Sequence, residues 1–127
     1  MAYGSALVDV VQSSTAGVPP QFNDGNGTQT GTLCRAWVSY KGTATRVINA
    51  SFNVSSVTFN STGNYTINFT TALTDANYAP TFGFNNQTSN IGSNLKISSL
   101  GTTALTIEKF ENGVNTDCAY VCVSIFR

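Results

Sequence analysis

The fold of this chain is decided by residues 65–70, which read Tyr65-Thr66-Ile67-Asn68-Phe69-Thr70. Apolar and polar side chains alternate here, and a period of two is typical of a β-strand that buries one side. Residues 46–54 repeat the pattern, which predicts one side made of Ile48, Ala50, Phe52 and Val54 and another made of Val47, Asn49, Ser51 and Asn53.

The polar sides of these strands are neutral rather than charged. Ser, Thr and Asn account for 45 of the 127 residues, whereas charged residues make up only 9%. An average soluble domain has about 25% charged residues. The net charge is zero and the six basic residues are scattered, so we expect no nucleic-acid partner. No window approaches 18 apolar residues, so we expect no membrane insertion either.

Turn-forming residues divide residues 32–127 into short segments without a sustained helical period. Ser55 and Ser56 predict a β-bulge, and Pro80 predicts an edge strand or a strand start. The pattern predicts an all-β fold, an antiparallel β-sandwich or jelly-roll-like domain of about seven or eight short strands. The predicted strands are residues 34–40, 46–54, 57–60, 65–71, 78–84, 95–100, 103–110 and 117–126.

Residues 1–31 differ in composition from the rest and predict an extended N-terminal arm. Gly, Pro and Asn are frequent in residues 13–31, which is typical of linkers. One short strand is predicted at residues 6–11, and it cannot form a stable sheet alone. We expect it to add to the edge of a neighbouring protein, with an ordinary frayed terminus as the alternative. The candidate attachment residues are Leu7, Val8, Val10 and Val11.

The last predicted strand is apolar on both sides. One side carries Ala119, Val121, Val123 and Ile125, and the other carries Cys118, Tyr120, Cys122 and Phe126. Such a strand is either central in the stacked sheets or has one side in a subunit interface. Together with Trp37, it supplies more apolar surface than one small sandwich needs, which predicts a homo-oligomer.

The residues that most enzymes need are missing or scattered. The chain has no histidine, which removes Ser-His and Cys-His nucleophile pairs and most zinc sites. The six acidic residues suggest no carboxylate pair for glycoside cleavage. We therefore expect no enzyme, no cofactor and no metal. Cys34, Cys118 and Cys122 are expected to be small buried apolar residues, with a bridge from Cys34 to either of the others as the alternative.

Two groups of residues are candidates for contact with a host-surface glycan. Tyr40, Tyr78, Phe82 and Phe84 form either a sugar-stacking platform or, as expected for most of them, part of the core. A polar loop follows residue 84 and is either solvated or involved in hydrogen bonds to a glycan. Its host-contact candidates are Asn85, Asn86, Gln87 and Asn90.

Several segments together resemble a recurrent C-terminal domain of tailed-phage structural proteins, found in marine and cyanobacterial phages and usually labelled tail fibre. The segments are Cys34-Arg35-Ala36-Trp37-Val38, Ala50-Ser51-Phe52-Asn53-Val54-Ser55-Ser56-Val57, Gly63-Asn64-Tyr65-Thr66-Ile67-Asn68-Phe69-Thr70, Asp75-Ala76-Asn77-Tyr78 and Ile125-Phe126-Arg127. The resemblance implies a bacteriophage virion protein, with a homotrimer as the expected assembly. It supplies no catalytic or ligand residues.

The expected function is therefore that of a non-enzymatic phage virion protein. It would be a small surface projection, like a tail fibre or its tip, that contacts the host surface. Capsid decoration on the phage head and a host-glycan-binding, lectin-like module are the alternatives. Residues 2–11 lack the basic start and long apolar run of a secretory signal, so we expect synthesis in the host cytoplasm and a final location in the virion.

Overall fold

A computed structural model describes residues 8–12, 14–16, 21–23, 29–43, 45–85 and 92–127. The chain divides into two compact units between Leu33 and Cys34. The first unit contains an antiparallel hairpin of β1 (Gln21–Asn23) and β2 (Gln29–Thr32). Within the predicted strand at residues 6–11, residues 8–11 are exposed and lie in no strand. No partner strand pairs with them in the described part of the chain, while Ala6 and Leu7 lie outside it.

The second unit is an all-β sandwich of two antiparallel sheets, which confirms the predicted fold class. One sheet has the strand order β4-β3-β11-β7, and the other has the order β5-β6-β9-β8 with β10 also beside β9. The strands are β3 (Cys34–Tyr40), β4 (Ile48–Phe52), β5 (Val54–Ser61), β6 (Asn64–Phe69), β7 (Ala79–Asn85), β8 (Ser93–Leu100), β9 (Ala104–Glu111), β10 (Val114–Asn115) and β11 (Tyr120–Phe126). The sequence pattern did not predict the two-residue β10, nor the β1–β2 hairpin of the first unit.

The core lies between the two sheets and is built by the predicted alternation. Every second residue of β3, β6, β9 and β11 is buried, while the residues between them are exposed or half-buried. Burying one such aliphatic or aromatic side chain contributes about 1.5–3 kcal/mol. The core strands contribute Ala36, Val38, Tyr40, Tyr65, Ile67, Phe69, Leu105, Ile107, Val121, Val123 and Ile125.

Strand β4 corrects one part of the predicted pattern. Asn49 is an extra residue opposite β3, because Ser39 pairs with Ala50 while Tyr40 pairs with Ile48. The extra residue places Ile48 against the core, whereas Ala50 and Phe52 are exposed. A one-residue shift moves the following side chains to the opposite side of a strand. Ile48 and Phe52 therefore do not share a side.

The chain passes from one sheet to the other at Asn53, which has a φ of 54°. Its Nδ2 donates to the carbonyl oxygens of Arg35 and Thr71, both at 3.1 Å, and its Oδ1 accepts from Thr71 N at 2.8 Å. The backbone oxygen of Asn53 accepts from Thr70 N at 3.2 Å. This corner therefore connects β3 to the segment that follows β6, and it divides predicted strand 46–54 into two.

Three further sequence predictions are confirmed by the strand pairing. The pairing of β5 with β6 shifts between Val54 and Ser56, which is the predicted bulge. Pro80 is the second residue of β7, which lies at the edge of its sheet. Strands β8 and β9 pair around Gly101, as expected.

The strands give the sandwich two distinct ends. Cys34 pairs with Phe126, which also pairs with Ala79, so these residues lie at one end. Tyr120 pairs with Asn85 at the opposite end. We call these the Cys34 end and the Asn85 end. At about 3.3 Å per residue, a seven-residue strand separates them by roughly 20 Å.

Candidate functional site

The outer side of the β4-β3-β11-β7 sheet is apolar and exposed. Trp37 pairs with both Phe52 and Ser124, and paired residues point to the same side of a sheet, so all three side chains point outward. The exposed fractions are 38% for Trp37, 55% for Phe52, 43% for Tyr120 and 41% for Phe126. Cys122 lies among them and is also exposed. We call Trp37, Phe52, Tyr120, Cys122 and Phe126, with the small residues between them, the apolar face.

Small and hydroxyl-bearing residues fill the remainder of the apolar face. Ser39 pairs with Cys122, which pairs with Gly83 on the other side, and Ser124 pairs with Thr81. The thiol of Cys122 lies 3.7 Å from Ser39 Oγ. Apart from Arg35, no outward residue of these four strands is charged within the described part of the sheet. The face is therefore apolar and carries little charge.

The outer side of the other sheet is covered by polar side chains that bind one another. Asn60 Nδ2 donates to Asn64 Oδ1 at 2.7 Å and to Thr66 Oγ1 at 2.8 Å. Thr66 and Thr106 share a hydrogen bond of 3.0 Å. Asn64 Nδ2 continues the network by donating to Glu108 Oε1 at 3.0 Å. We call this cross-strand network the polar ladder.

The polar ladder extends in both directions across the sheet. Asn68 Nδ2 donates to Ser56 Oγ at 3.0 Å and to Thr58 Oγ1 at 2.9 Å. On the other side, Lys96 Nζ lies 2.9 Å from Glu108 Oε2. The pKa of Glu108 is held below its usual value, chiefly by the hydrogen bond from the Lys96 ammonium. The neutral polar residues that dominate the composition therefore form cross-strand pairs of the kind that stabilise sheets.

A polar cluster at the Asn85 end joins the two sheets around Asp117. Its Oδ1 accepts from Gly63 N at 2.8 Å and from the Tyr65 hydroxyl at 2.7 Å. The same hydroxyl lies 3.0 Å from the carbonyl oxygen of Gly42, so one proton serves two acceptors. Burial, followed by the bond to Asp117, raises the pKa of the Tyr65 phenol well above its usual value. The phenol is thus a structural donor and remains protonated at neutral pH.

Lys109 is a fully buried cation that lies next to this cluster. Its side chain has no exposed surface, and Nζ lies 3.1 Å from Glu111 Oε2 and 2.6 Å from Thr116 Oγ1. A buried charge is tolerated when it is paired and hydrogen-bonded. The ion pair connects neighbouring parts of the β9–β10 hairpin, which is a structural role.

The predicted stacking aromatics do not form a platform. Tyr40 and Tyr78 are buried in the core and Phe82 packs against it, whereas Phe84 is exposed. Tyr40 and Tyr65 pack edge to face with ring centroids 5.5 Å apart. The core role expected for most of the four is confirmed, and Phe84, which pairs with the buried Val121, does not lie on the apolar face.

The candidate host-contact and attachment residues are only partly described. Asn85 is exposed at the end of β7, and its carbonyl oxygen accepts from the Cys118 thiol at 2.9 Å. Asn86, Gln87 and Asn90 lie outside the described residues. Val8, Val10 and Val11 are exposed in the first unit, and Leu7 lies outside the described part.

The cysteines and the last strand need partial correction. All three cysteines are free; Cys118 is buried as expected, but Cys34 is half-buried and Cys122 is exposed. Cys118 does not share the exposed side of β11, because it precedes the strand and its thiol points to backbone carbonyls. Strand β11 is central in its sheet, yet only one of its sides is buried.

The sequence pattern did not predict the apolar face as a unit. Tyr120, Cys122 and Phe126 share the predicted side, but Phe52 was assigned to the core. The missing signal is the bulge at Asn49, which no local residue pattern indicates. Strand β4 has only five residues and lies at the edge of its sheet. Phe52, which points outward from this edge strand, is therefore on the surface.

Other site types are not visible in the described residues. Those ranges contain no group of three His, Cys, Asp or Glu residues placed to hold a metal ion. They also contain no helix with the length and apolarity to cross a membrane. Comparison with protein-family models, curated proteins and solved structures returned no match to this chain.

Proposed function

We propose that this chain is a structural protein of a phage particle, a small surface projection that is attached through residues 1–31 and contacts the host surface at the Asn85 end. The observation that carries the proposal is that the two ends of the sandwich, along the strand direction, are different. The sandwich begins at Cys34 at one end, whereas Asn85 and Gly92 border the candidate host-contact loop at the other. The junction with the first unit at Cys34 and the border of the candidate loop at Asn85 are thus separated by the strand length.

The polar ladder supports a role outside the cell. Cross-strand hydrogen bonds among Asn and Thr side chains hold one face together with few charges, so the face depends little on ionic strength. Asn, Ser and Thr side chains also stay uncharged over a wide pH range. A protein that is exposed to variable surroundings benefits from both properties.

The attachment part of the proposal is tested by substitutions in the full chain. Replacing Val8, Val10 and Val11 by serine should abolish incorporation into particles, because the apolar strand-forming segment is lost. A chain lacking residues 1–31 should behave in the same way while its sandwich remains folded. Normal incorporation of both variants would overturn the attachment role.

The host-contact part has a matched experiment. A variant with alanine at Asn85, Asn86, Gln87 and Asn90 should incorporate normally but lose adsorption to host cells. Immunogold labelling of the particles then distinguishes the position, since label on the tail end supports a fibre-like role and label over the head supports capsid decoration. An unchanged adsorption rate would contradict host contact through this loop.

A lectin-like module is the second candidate, and the exposed aromatics of the apolar face are the observation that favours it. Trp37 and Phe52 are neighbours on a flat surface with hydroxyl groups nearby. Incubation with host polysaccharide tests it: a lectin retains the ligand without releasing oligosaccharide, and the Trp37→Ser variant should lose the retention.

A further inference from the structure

We propose that the apolar face is a subunit interface and that it is covered by another copy of this chain. The shape, area and charge of the sandwich surface support this interface, which does not depend on where on a particle the protein is located. It follows from the difference between the two outer sheet surfaces.

The exposed apolar area of the face matches the largest patch of a typical monomer. Aromatic side chains present about 150–250 Å² each when free, so the exposed fractions of Trp37, Phe52, Tyr120 and Phe126 correspond to roughly 350 Å². The largest apolar patch of a typical monomer is about 300–600 Å² and is often functional. The aromatics reach this range before the small apolar residues between them are included.

The dimensions of the face favour a wide, flat occupant. Four strands at about 4.8 Å and seven residues at about 3.3 Å give a footprint of roughly 19 by 23 Å. This footprint of about 440 Å² is roughly half of the ~800 Å² per partner of a standard interface, and the accessible area of side chains on a pleated surface exceeds the footprint. A single added peptide strand would cover only about a quarter of the width.

The charge of the face favours a copy of the same chain over a charged partner. Arg35 is the only charged residue among the outward positions of the four strands, and Lys41 lies at the margin, 5.8 Å from the Tyr120 ring centre. A surface with so few charges offers little complement to a strongly acidic or basic partner. In a pair of copies, Arg35 is the charged side chain that the outward positions of the four strands bring together, and sheet faces pack well at a separation of about 10 Å.

The other sheet provides the internal comparison. Its outer polar groups already bind one another through the polar ladder, with Asn60, Thr66 and Asn68 at the centre. An incoming surface would have to break these bonds to form its own. The same chain therefore carries one face that is suited to solvent and one that gains from being covered.

The test is the mass of the purified full-length chain, measured by light scattering over a concentration series. We expect an assembly of two or three chains at micromolar concentration. The Trp37→Ser/Phe52→Ser variant should weaken self-association by about thirtyfold or more, because truncating a central aromatic anchor typically has that effect. Circular dichroism should show that this variant is still folded.

A matched control uses exposed apolar residues of the other sheet. Ile97 and Val114 are exposed to a similar degree, at 40% and 64%, and the Ile97→Ser/Val114→Ser variant should assemble like the unaltered chain. A monomer mass for the unaltered chain at its highest soluble concentration would overturn the interface. So would an assembly that the Trp37 and Phe52 substitutions weaken no more than the control substitutions do.

Cys122 supplies a second measurement without any substitution. Its thiol is exposed at the centre of the face, whereas Cys118 is buried in the core. Alkylation of Cys122 by a maleimide should slow in proportion to the assembled fraction as the concentration rises, while Cys118 remains unreactive. A Cys122 rate that is independent of assembly would contradict the proposal. Neither measurement involves particles or hosts, so the interface and the proposed virion role succeed or fail separately.

Discussion

Arg127 binds the carboxylate of Asp75 through two nitrogens. This ion pair joins the end of β11 to the connection between β6 and β7. Nε donates to Asp75 Oδ1 at 2.9 Å, and Nη2 donates to Oδ2. Asp75 Oδ1 also accepts from Asn77 N at 2.8 Å. Residues 75–78 and 125–127 therefore meet in space.

This ion pair predicts a pH dependence. The guanidinium of Arg127, followed by the Asn77 N–H, holds the folded-state pKa of Asp75 below its ordinary value of 3.8. A lowered folded pKa means that the pair stabilises the fold above pH 3.8 and that this contribution is lost as the pH falls through the folded pKa. Asp75→Asn should lower the melting temperature slightly at neutral pH, and the difference from the unaltered chain should vanish in acid. A difference that stays constant with pH would contradict the assignment.

Tyr40 and Tyr65 should respond oppositely to removal of their hydroxyl groups. Tyr40 Oη is buried and has no hydrogen-bond partner among the described residues, so Tyr40→Phe should leave the free energy of unfolding unchanged or raise it. Tyr65→Phe removes the donor to Asp117 and leaves the Gly42 carbonyl without it, which should cost about 1–3 kcal/mol. Urea denaturation of the two variants measures both effects, and equal losses would refute the difference.

Asn53 should tolerate glycine better than alanine. Its φ of 54° is strained for alanine but not for glycine, and both substitutions remove the same side-chain hydrogen bonds to Arg35 and Thr71. The loss of these bonds should cost about 1–3 kcal/mol in either variant, with about 1 kcal/mol more for alanine. Denaturation midpoints would show the order, and a more stable Asn53→Ala would contradict the role of the backbone.

The pair of Lys109 and Glu111 should show a strong coupling. Glu111→Ala leaves the buried ammonium with Thr116 alone and should cost about 3 kcal/mol. Adding Lys109→Met removes the unpaired charge, so the double variant should be more stable than the Glu111→Ala variant. Unfolding free energies of the two variants test this, and a double variant no more stable than the Glu111→Ala variant would mean that the ion pair is unimportant.

The sequence predicted the strands best where alternation coincides with two paired neighbours. Strands β6 and β9 have neighbours on both sides, so their apolar side faces the core as the pattern requires. Strand β4 pairs only with β3, and a bulge at Asn49 reverses the direction of Phe52. Bulges depend on the partner strand, so the local sequence of an edge strand does not reveal them.

Side-chain partners distant in sequence were also beyond prediction. Asp117 and Gly63 are 54 residues apart, and Asp75 and Arg127 are separated by 52. Local patterns assign strands and turns, but they do not specify which strand ends lie side by side. The clusters at the two ends of the sandwich therefore depend on which strands pair, and the local sequence does not specify that pairing.

The apolar face and the two sandwich ends lie in perpendicular directions. Stacking through the face would proceed along the normal to the sheet, so both ends of the sandwich would stay accessible. Copies associated in this way would point in a common direction or in opposite directions, depending on the rotation that relates them. A parallel arrangement would place the Asn85 ends of all copies on the same side, where weak individual contacts with a common surface would add up through avidity.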